Sequence, residues 1–211
     1  EDWRIANLDK NYLDYDFKLD KVWSSWALVD MQKLNWFNQL HIKNMSLEDL
    51  YDKLNVYLKD FNNEFYENNF SYLFKDYNLK IISELKTRLV KFDEFESLTW
   101  FFYKENKINN DVLNLLVNPK MKIDDLQTAK SWLELTLKTL KDFKNDFNSV
   151  DEVKILFVEK IKEAWMKNWQ VLWPVRVALT SEEFSVWALE LIYILWIKKS
   201  IIRIENILKS I

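Results

Sequence analysis

The sequence contains no cysteine, which excludes disulfide bonds, cysteine–zinc sites and thiol catalysis. Histidine is almost as scarce: because His41 is the only one, a histidine-based metal site or nucleophile is not expected, and we interpret His41 as structural. No stretch approaches about eighteen uncharged apolar residues, so we expect no membrane-spanning helix. The chain begins at Glu1 without an initiator Met or a charged leader before an apolar run, and we therefore expect a fragment of a longer cytoplasmic protein.

Glycine is also absent from the 211 residues, whereas tryptophan occurs eleven times. Both counts are abnormal, since glycine averages roughly 7% of protein sequences. The 30 basic residues against 33 acidic ones give a net charge of −3, which argues against a protein that binds nucleic acid through general phosphate contacts. A local basic face is still compatible with that charge balance.

Apolar residues recur at spacings of three and four along the chain, and no alternating β pattern persists, so we predict an all-α protein. Two capping boxes mark helix starts, at Ser46-x-x-Asp49 and at Ser149-x-x-Glu152. In such a box the hydroxyl and the carboxylate satisfy backbone N–H groups that have no partner inside the helix.

Two breaks give candidate boundaries. One lies before the capped helix that begins near Ser46, and the other follows Pro119, which lacks a backbone donor and pushes its neighbour out of helical geometry. We therefore divide the chain into 1–45, 46–122 and 123–211.

Three segments carry more specific expectations. A helix is predicted near 78–90, with Arg88 on the flank of its apolar stripe. The run WPVRV, 173–177, is predicted as an irregular, strand-like segment preceded by a tight turn. The final helix is predicted to face the core with Ile201, Ile204, Leu208 and Ile211 and to present three cations to solvent, Lys198, Lys199 and Arg203.

Catalysis has little support in the sequence. The paired carboxylates lie at predicted helix starts, where they complement the helix macrodipole: Glu48-Asp49, Asp124-Asp125 and Glu182-Glu183. A glycine-rich phosphate loop cannot form without glycine. We predict no catalytic residue and no metal ligand in this chain.

Two segments carry a family resemblance. WPVRVALTSEEF, 173–184, resembles the pattern [QW]-P-[LV]-R-x-A-L-T-G, followed by Ser/Thr-Pro-Gly, of bacterial glutamyl-tRNA synthetases. SSWALVDMQKLNWFNQLHIKN, 24–44, resembles S-G-A-x-F-D-x-x-K-L-x-W-x-N-x-x-[YH]-I of the same family. The resemblance covers nearly the whole chain and is weakest between 60 and 150.

The resemblance implies an all-α helical bundle or cage of the anticodon-binding type. Residues 1–45 would be the end of the helical stem-contact region, and 46–122 and 123–211 would be two anticodon-binding subdomains. The family's HIGH-type and KMSKS-type ATP signatures are absent, so the chain alone should not activate an amino acid. It would hold no cofactor, because ATP and Mg²⁺ belong to the catalytic half of such an enzyme.

The resemblance also assigns anticodon contacts. Arg88, in a stretch similar to L-x-x-R-x-x-x-x-x-[EK]-[FLM], would recognise the third base, and Arg176 the first. Cytosine offers acceptors on its Watson–Crick edge and guanine offers N–H donors, so the donor-only guanidinium of Arg88 suits the C of glutamate anticodons and not the G of glutamine anticodons. Without the resemblance, Arg88 is an ordinary solvated helix arginine.

Four more residues complete the predicted site. Ser185 and Val186 match the Ser/Thr-Pro pair that the resemblance places around the middle uridine, although Val186 replaces the proline. Ser185 is equally well explained as the N-cap of the following helix. Ala188 replaces a commonly larger apolar residue, and Trp173 would either stack on a base or fill the core.

Several tryptophans fall where the family pattern has glycine: Trp3, Trp26, Trp165, Trp169, Trp187 and Trp196. Trp36 and Trp173, by contrast, occupy positions where the family accepts tryptophan. Our hypothesis is that UGA codons read as glycine in the natural lineage were translated as tryptophan in this sequence. The alternative is true substitution by tryptophan.

The sequence thus predicts recognition of the tRNA-Glu anticodon by a monomer, as part of a glutamyl-tRNA synthetase that distinguishes tRNA-Glu from tRNA-Gln. Two alternatives remain open. One is a helical protein-interaction scaffold, with Arg88 and Arg176 as surface charges. The other is a non-discriminating synthetase that also charges tRNA-Gln.

Overall fold

The structure is a computed structural model that describes residues 30–143, 145–163 and 167–211. Within these ranges the chain is helical and forms no strand, apart from an isolated bridge between Asn118 and Ile123. The all-α prediction is confirmed. The helices in chain order are α1 Met31–Asn44, α2 Leu47–Phe61, α3 Asn63–Phe65, a π-helical turn Tyr66–Phe70, α4 Lys75–Leu85, a 3₁₀ turn Phe92–Glu94, α5 Phe95–Tyr103, α6 Asn110–Leu116, a 3₁₀ turn Pro119–Met121, α7 Leu126–Asp142, α8 Val150–Glu163, α9 Asn168–Thr180 and α10 Ala188–Ser210.

The predicted capping residues begin their helices. Ser46 Oγ accepts from the Asp49 backbone N–H at 3.0 Å and donates to its carboxylate at 2.7 Å, at the start of α2. Ser149 Oγ accepts from the Glu152 N–H at 3.3 Å before α8. Each such cap contributes about 1 kcal/mol because it satisfies a donor that the helix leaves unpaired.

Two element predictions were wrong in detail. Helix α4 ends at Leu85, so Arg88 follows the helix instead of lying on its flank. The WPVRV run is part of α9, with Pro174 inside the helix, and Trp169 lies in α9 instead of in a turn. An internal proline costs a helix about 3 kcal/mol. Here that cost is offset because α9 is buried on most of its surface, with Val171, Val175, Val177, Ala178 and Leu179 all at most 1% exposed.

Arg203 corrects the prediction for the final helix, because its side chain is buried instead of facing solvent. Its guanidinium donates to the Phe101 carbonyl at 2.7 Å, to the Lys104 carbonyl at 2.9 Å and to the Leu179 carbonyl. Lys199, one turn earlier, is only partly exposed and donates to the Phe102 carbonyl at 3.0 Å. Both cations therefore lie at the C-terminal end of α5, where carbonyl groups lack helical partners and the macrodipole favours positive charge.

A break in α10 explains why its solvent-facing side was predicted wrongly from the sequence. Trp196 has φ 59° and ψ 161°, so the helix consists of two parts whose faces are not in register. The N–H of Ile197 donates to the Asp146 carboxylate at 2.9 Å, which caps the second part. Positive φ with extended ψ is a region that essentially only glycine populates.

The suspected glycine positions therefore differ from one another. Trp196 has a glycine-like backbone, whereas Trp187 has φ −65° and ψ 148°, which any residue adopts. Trp3, Trp26 and Trp165 lie outside the described residues.

A single hydrophobic core joins residues from both sides of the expected boundary at 122. It includes Leu54, Phe95 and Leu116 from the first part and Leu133 and Ile204 from the second. Because α9 packs against α6, α7 and α10, the loop that follows α9 is held in a fixed place on this core.

Candidate nucleic-acid interface

The segment that connects α9 to α10, residues 181–187, is here called the α9–α10 loop. It begins at Ser181, whose φ of 62° ends α9 in the left-handed conformation. The Thr180 hydroxyl donates to the Arg176 carbonyl at 2.8 Å and accepts from the Glu182 N–H at 3.1 Å, so it stabilises this turn. The loop is therefore an ordered, irregular segment at the end of a buried helix.

The loop ends at Trp187, which holds the N-cap position of α10. Its backbone N–H donates to the Glu190 carboxylate at 2.9 Å. The prediction that Ser185 caps this helix was wrong, because α10 begins beyond it and the Ser185 hydroxyl donates to the Val186 carbonyl at 3.0 Å. Ser185 is instead part of the loop.

Arg176 supports the loop from α9. Its guanidinium donates to the Glu183 carbonyl at 2.5 Å and lies over the Trp173 ring, 4.5 Å from the centroid. The Trp173 indole N–H in turn donates to the Leu115 carbonyl at 2.8 Å, which fixes the ring. Burial lowers the pKa of Arg176, and the nearby positive Arg88 adds to that lowering, while Glu183 opposes it.

Arg88 reaches the same loop from a distant part of the chain. Its guanidinium donates to the Ser185 carbonyl at 3.1 Å, across 97 residues of sequence, and pairs with the Glu190 carboxylate at 3.4 Å. Its side chain is 34% exposed and that of Glu190 is 16% exposed. The two predicted anticodon-reading arginines thus converge on one loop and hold the carbonyls on either side of Phe184.

The family described as Anticodon binding domain matches residues 38–208, which include all of these groups. This chain belongs to the anticodon-binding domain family. The match spans well over half of the chain and contains α2 to α9 completely, together with almost all of α10.

Curated relatives of this anticodon-binding domain are glutamate–tRNA ligases. The ligase of Lachnoclostridium phytofermentans is 29% identical over 208 residues, which are 95% of this chain and 38% of the relative. The ligase of Borreliella burgdorferi is 30% identical over 180 residues, 83% of this chain and 34% of the relative. The chain therefore spans little more than a third of the length of these relatives.

A solved structure shares the fold of this anticodon-binding domain. It is a glutamate–tRNA ligase from Elizabethkingia meningosepticum in complex with its amino acid, with a TM-score of 0.69 and 18% identity. The similarity covers 92% of this chain and 35% of that one. The resemblance found in the sequence is confirmed at the level of family and fold.

The remaining predicted site residues lie in different surroundings. Val186 and Ala188 are buried, at 2% and 3% exposure, so their side chains support the loop from beneath. Trp173 is partly buried and holds Arg176 by stacking. Direct base contacts by these six residues, Trp173, Arg176, Val186, Arg88, Ser185 and Ala188, stay predictions.

Two residues of the site were not found from the sequence. Glu190 was missed because the residue three positions before it is Trp187, not a Ser or Thr that would signal a capping box. Phe184 was missed because an isolated aromatic has no periodic signal, yet its side chain is 79% exposed at the middle of the loop.

The part of the chain that the structure describes offers no group of three or more His, Asp or Glu residues placed to hold a metal ion. In the same part, no helix combines the length and the apolar character needed to cross a membrane.

Proposed function

We propose that this anticodon-binding domain recognises the anticodon loop of tRNA-Glu, as part of a glutamate–tRNA ligase. The observation that carries the proposal is the convergence of Arg88 and Arg176 on the α9–α10 loop from positions far apart in sequence. Sequence-specific RNA recognition usually targets unpaired loop bases, whose edges are accessible to side chains. Two arginines beside an irregular loop can donate to such base edges, even though the chain as a whole has a net charge of −3.

Arg88 is the proposed reader of the third anticodon base. A guanidinium has five N–H donors, so it can hold the Ser185 carbonyl and Glu190 and still donate to the O2 and N3 acceptors of cytosine. Guanine would face it with N–H donors, and an unpaired buried donor costs on the order of 1 to 3 kcal/mol. We therefore propose a ligase that distinguishes tRNA-Glu from tRNA-Gln.

Arg176 and Ser185 are the proposed contacts of the first and middle bases. The guanidinium of Arg176 uses one donor to hold the Glu183 carbonyl, which leaves other N–H donors for a base. Ser185 can offer its hydroxyl to a uracil edge, which carries both acceptors and a donor. Val186 would contribute only through its backbone, since its side chain is buried.

The activity of the whole ligase is part of the proposal. The relatives are more than twice as long as this chain, and glutamate, ATP and Mg²⁺ would be used by a catalytic part to which this domain presents the tRNA. We propose that the protein acts as a monomer in the cytoplasm.

Binding to anticodon stem-loops tests the proposal directly. The chain, and the full-length protein that contains it, is titrated with two stem-loops that differ only in a third anticodon base of C or G. We expect tighter binding of the C loop, and we expect Arg88→Ala to reduce the C-to-G preference by roughly 5- to 100-fold, as loss of one such contact predicts.

Lys91→Ala is the matched control, because it removes one positive charge from the same segment, where Lys91 pairs with Asp93. It should weaken both stem-loops equally and leave their ratio unchanged. Equal binding of both loops by the unmodified protein would support a non-discriminating ligase. Absence of RNA binding by both chain and full-length protein would overturn the proposal in favour of a helical interaction scaffold.

A further inference from the structure

Phe184 is an exposed aromatic side chain at the centre of the α9–α10 loop. Its ring is 79% exposed, while the carbonyl before it, of Glu183, accepts from Arg176 and the carbonyl after it, of Ser185, accepts from Arg88. The backbone on both sides of the ring is thus held by a guanidinium.

The charges of the α9–α10 loop limit which part of a nucleic acid can bind there. Its only charged residues are Glu182 and Glu183, and carboxylates repel phosphate groups. The two arginines are partly buried and directed at the loop itself. A nucleic acid that contacts the loop must therefore do so through base edges and base faces, not through its backbone.

We infer that Phe184 is a stacking platform for one unpaired base of the bound RNA, an assignment that rests on the proposed function. Every base has a π-face, and stacking on an aromatic side chain is a common way to hold a base that has left the helix. Because the backbone at Phe184 is already held on both sides, little conformational entropy remains to be lost when the base stacks. The arginines then recognise base edges while Phe184 holds a base face.

The experiment compares Phe184→Ala, Phe184→Leu and Phe184→Trp with the unmodified protein on the C and G stem-loops. Alanine should weaken both by roughly 5- to 100-fold and leave the C-to-G ratio unchanged, because stacking tolerates any base. Tryptophan should retain the affinity. Leucine should recover only a small part of it, since it restores apolar area but no π-face.

Phe74→Ala is the matched control. Phe74 is 85% exposed just before α4, outside the α9–α10 loop, and its loss should not change RNA affinity. The thermal unfolding midpoint should be the same for Phe184→Ala and the unmodified protein, because an exposed ring contributes little to stability.

A 2-aminopurine placed in turn at each anticodon position supplies a second measurement. Its fluorescence should be quenched on binding at one position, and Phe184→Ala should relieve that quenching. If the unmodified protein binds the stem-loops and Phe184→Ala or Phe184→Leu binds as tightly, the stacking role is refuted and the proposed function stands. If the unmodified protein binds neither stem-loop, the proposed function and this inference fail together.

Discussion

Trp196 combines a large indole with a backbone conformation that suits glycine. Its φ of 59° and ψ of 161° cost any side chain with a Cβ on the order of 1 to 3 kcal/mol. The indole recovers part of this through the Tyr77 ring, 5.0 Å away, since such aromatic pairs contribute about 0.5 to 1.5 kcal/mol. The strain is the larger of the two effects. The absence of glycine from 211 residues thus has a structural counterpart at Trp196.

Trp196→Gly is expected to raise the free energy of unfolding by about 1 kcal/mol, because strain relief exceeds the lost ring contact. Trp196→Ala should not stabilise, since alanine keeps the Cβ and loses the indole. The measurement is urea unfolding followed by circular dichroism.

Trp36→Gly is the control for this series. Trp36 lies inside α1 and is 44% exposed, and glycine there should destabilise by about 0.5 to 1 kcal/mol. A lower stability for Trp196→Gly would contradict the argument. The intact mass of the natural protein tests the recoding hypothesis separately: a mass lighter at the suspected sites supports it, and a mass that matches tryptophan ends it.

At the scale of elements, Glu190 connects the start of α10 to the segment that follows α4. One carboxylate oxygen accepts from the Trp187 N–H at 2.9 Å and from Arg88 at 3.4 Å. The same residue therefore orders the first turn of α10 and positions the proposed base-reading arginine. Glu84 lies close enough for the negative charge of Glu190 to add to the burial that raises the pKa of Glu84.

Glu190→Gln should lower the C-to-G preference severalfold while binding of the G loop changes little. The neutral amide can still accept from the Trp187 N–H, but it no longer fixes Arg88 by charge. The free energy of unfolding should fall by less than about 1 kcal/mol, because the ion pair is partly exposed.

Glu182→Gln is the comparison for Glu190→Gln, since it removes the same charge from the neighbouring loop without touching the contact with Arg88. An unchanged C-to-G preference in Glu190→Gln, with Arg88→Ala still deficient, would show that Arg88 needs no positioning by Glu190.

At the scale of the whole molecule, Arg203 and Lys199 connect the two parts that the sequence divides at residue 122. Both lie on α10, and both donate to carbonyl groups at the end of α5. Burial, together with the neighbouring positive charge of Arg203, lowers the pKa of Lys199 to about 8. The desolvation of these two cations is outweighed, because carbonyl groups left without donors at a buried helix end would destabilise the fold more.

The lowered pKa of Lys199 makes the free energy of unfolding depend on pH. Between pH 8 and about 10 the unfolded chain, with an ordinary lysine pKa near 10.4, binds more protons at this site than the folded chain. The free energy of unfolding should therefore rise through this range, by on the order of 1 kcal/mol. Above about pH 10 the trend reverses, because burial raises the pKa of Tyr77 and Tyr103 and only the unfolded chain releases their protons.

Chemical unfolding at a series of pH values from 7 to 11 measures this dependence. Lys199→Met should remove the rise between pH 8 and about 10, whereas Lys198→Met, on the exposed neighbour, should keep it. A rise of the same size in Lys199→Met would assign the effect to another group.

The sequence by itself determined what depends on neighbours a few residues away. The caps at Ser46 and Ser149 and the helical spacing of apolar residues depend on neighbours within one or two turns, so they could be predicted. Family membership followed from two local motifs. Arg88, Arg176 and Ser185 were selected from those motifs and do lie around one loop, although their roles stay predictions.

Only the tertiary structure decided which groups meet across long stretches of chain. The burial of Arg203 depends on carbonyls about a hundred residues away, and so does the contact of Arg88 with Ser185. The helical state of WPVRV depends on burial by α6, α7 and α10, which outweighs the local effect of Pro174. Helical periodicity gives the face of each helix but not the partner or the breaks in register, so the outward face of α10 could not be predicted past Trp196.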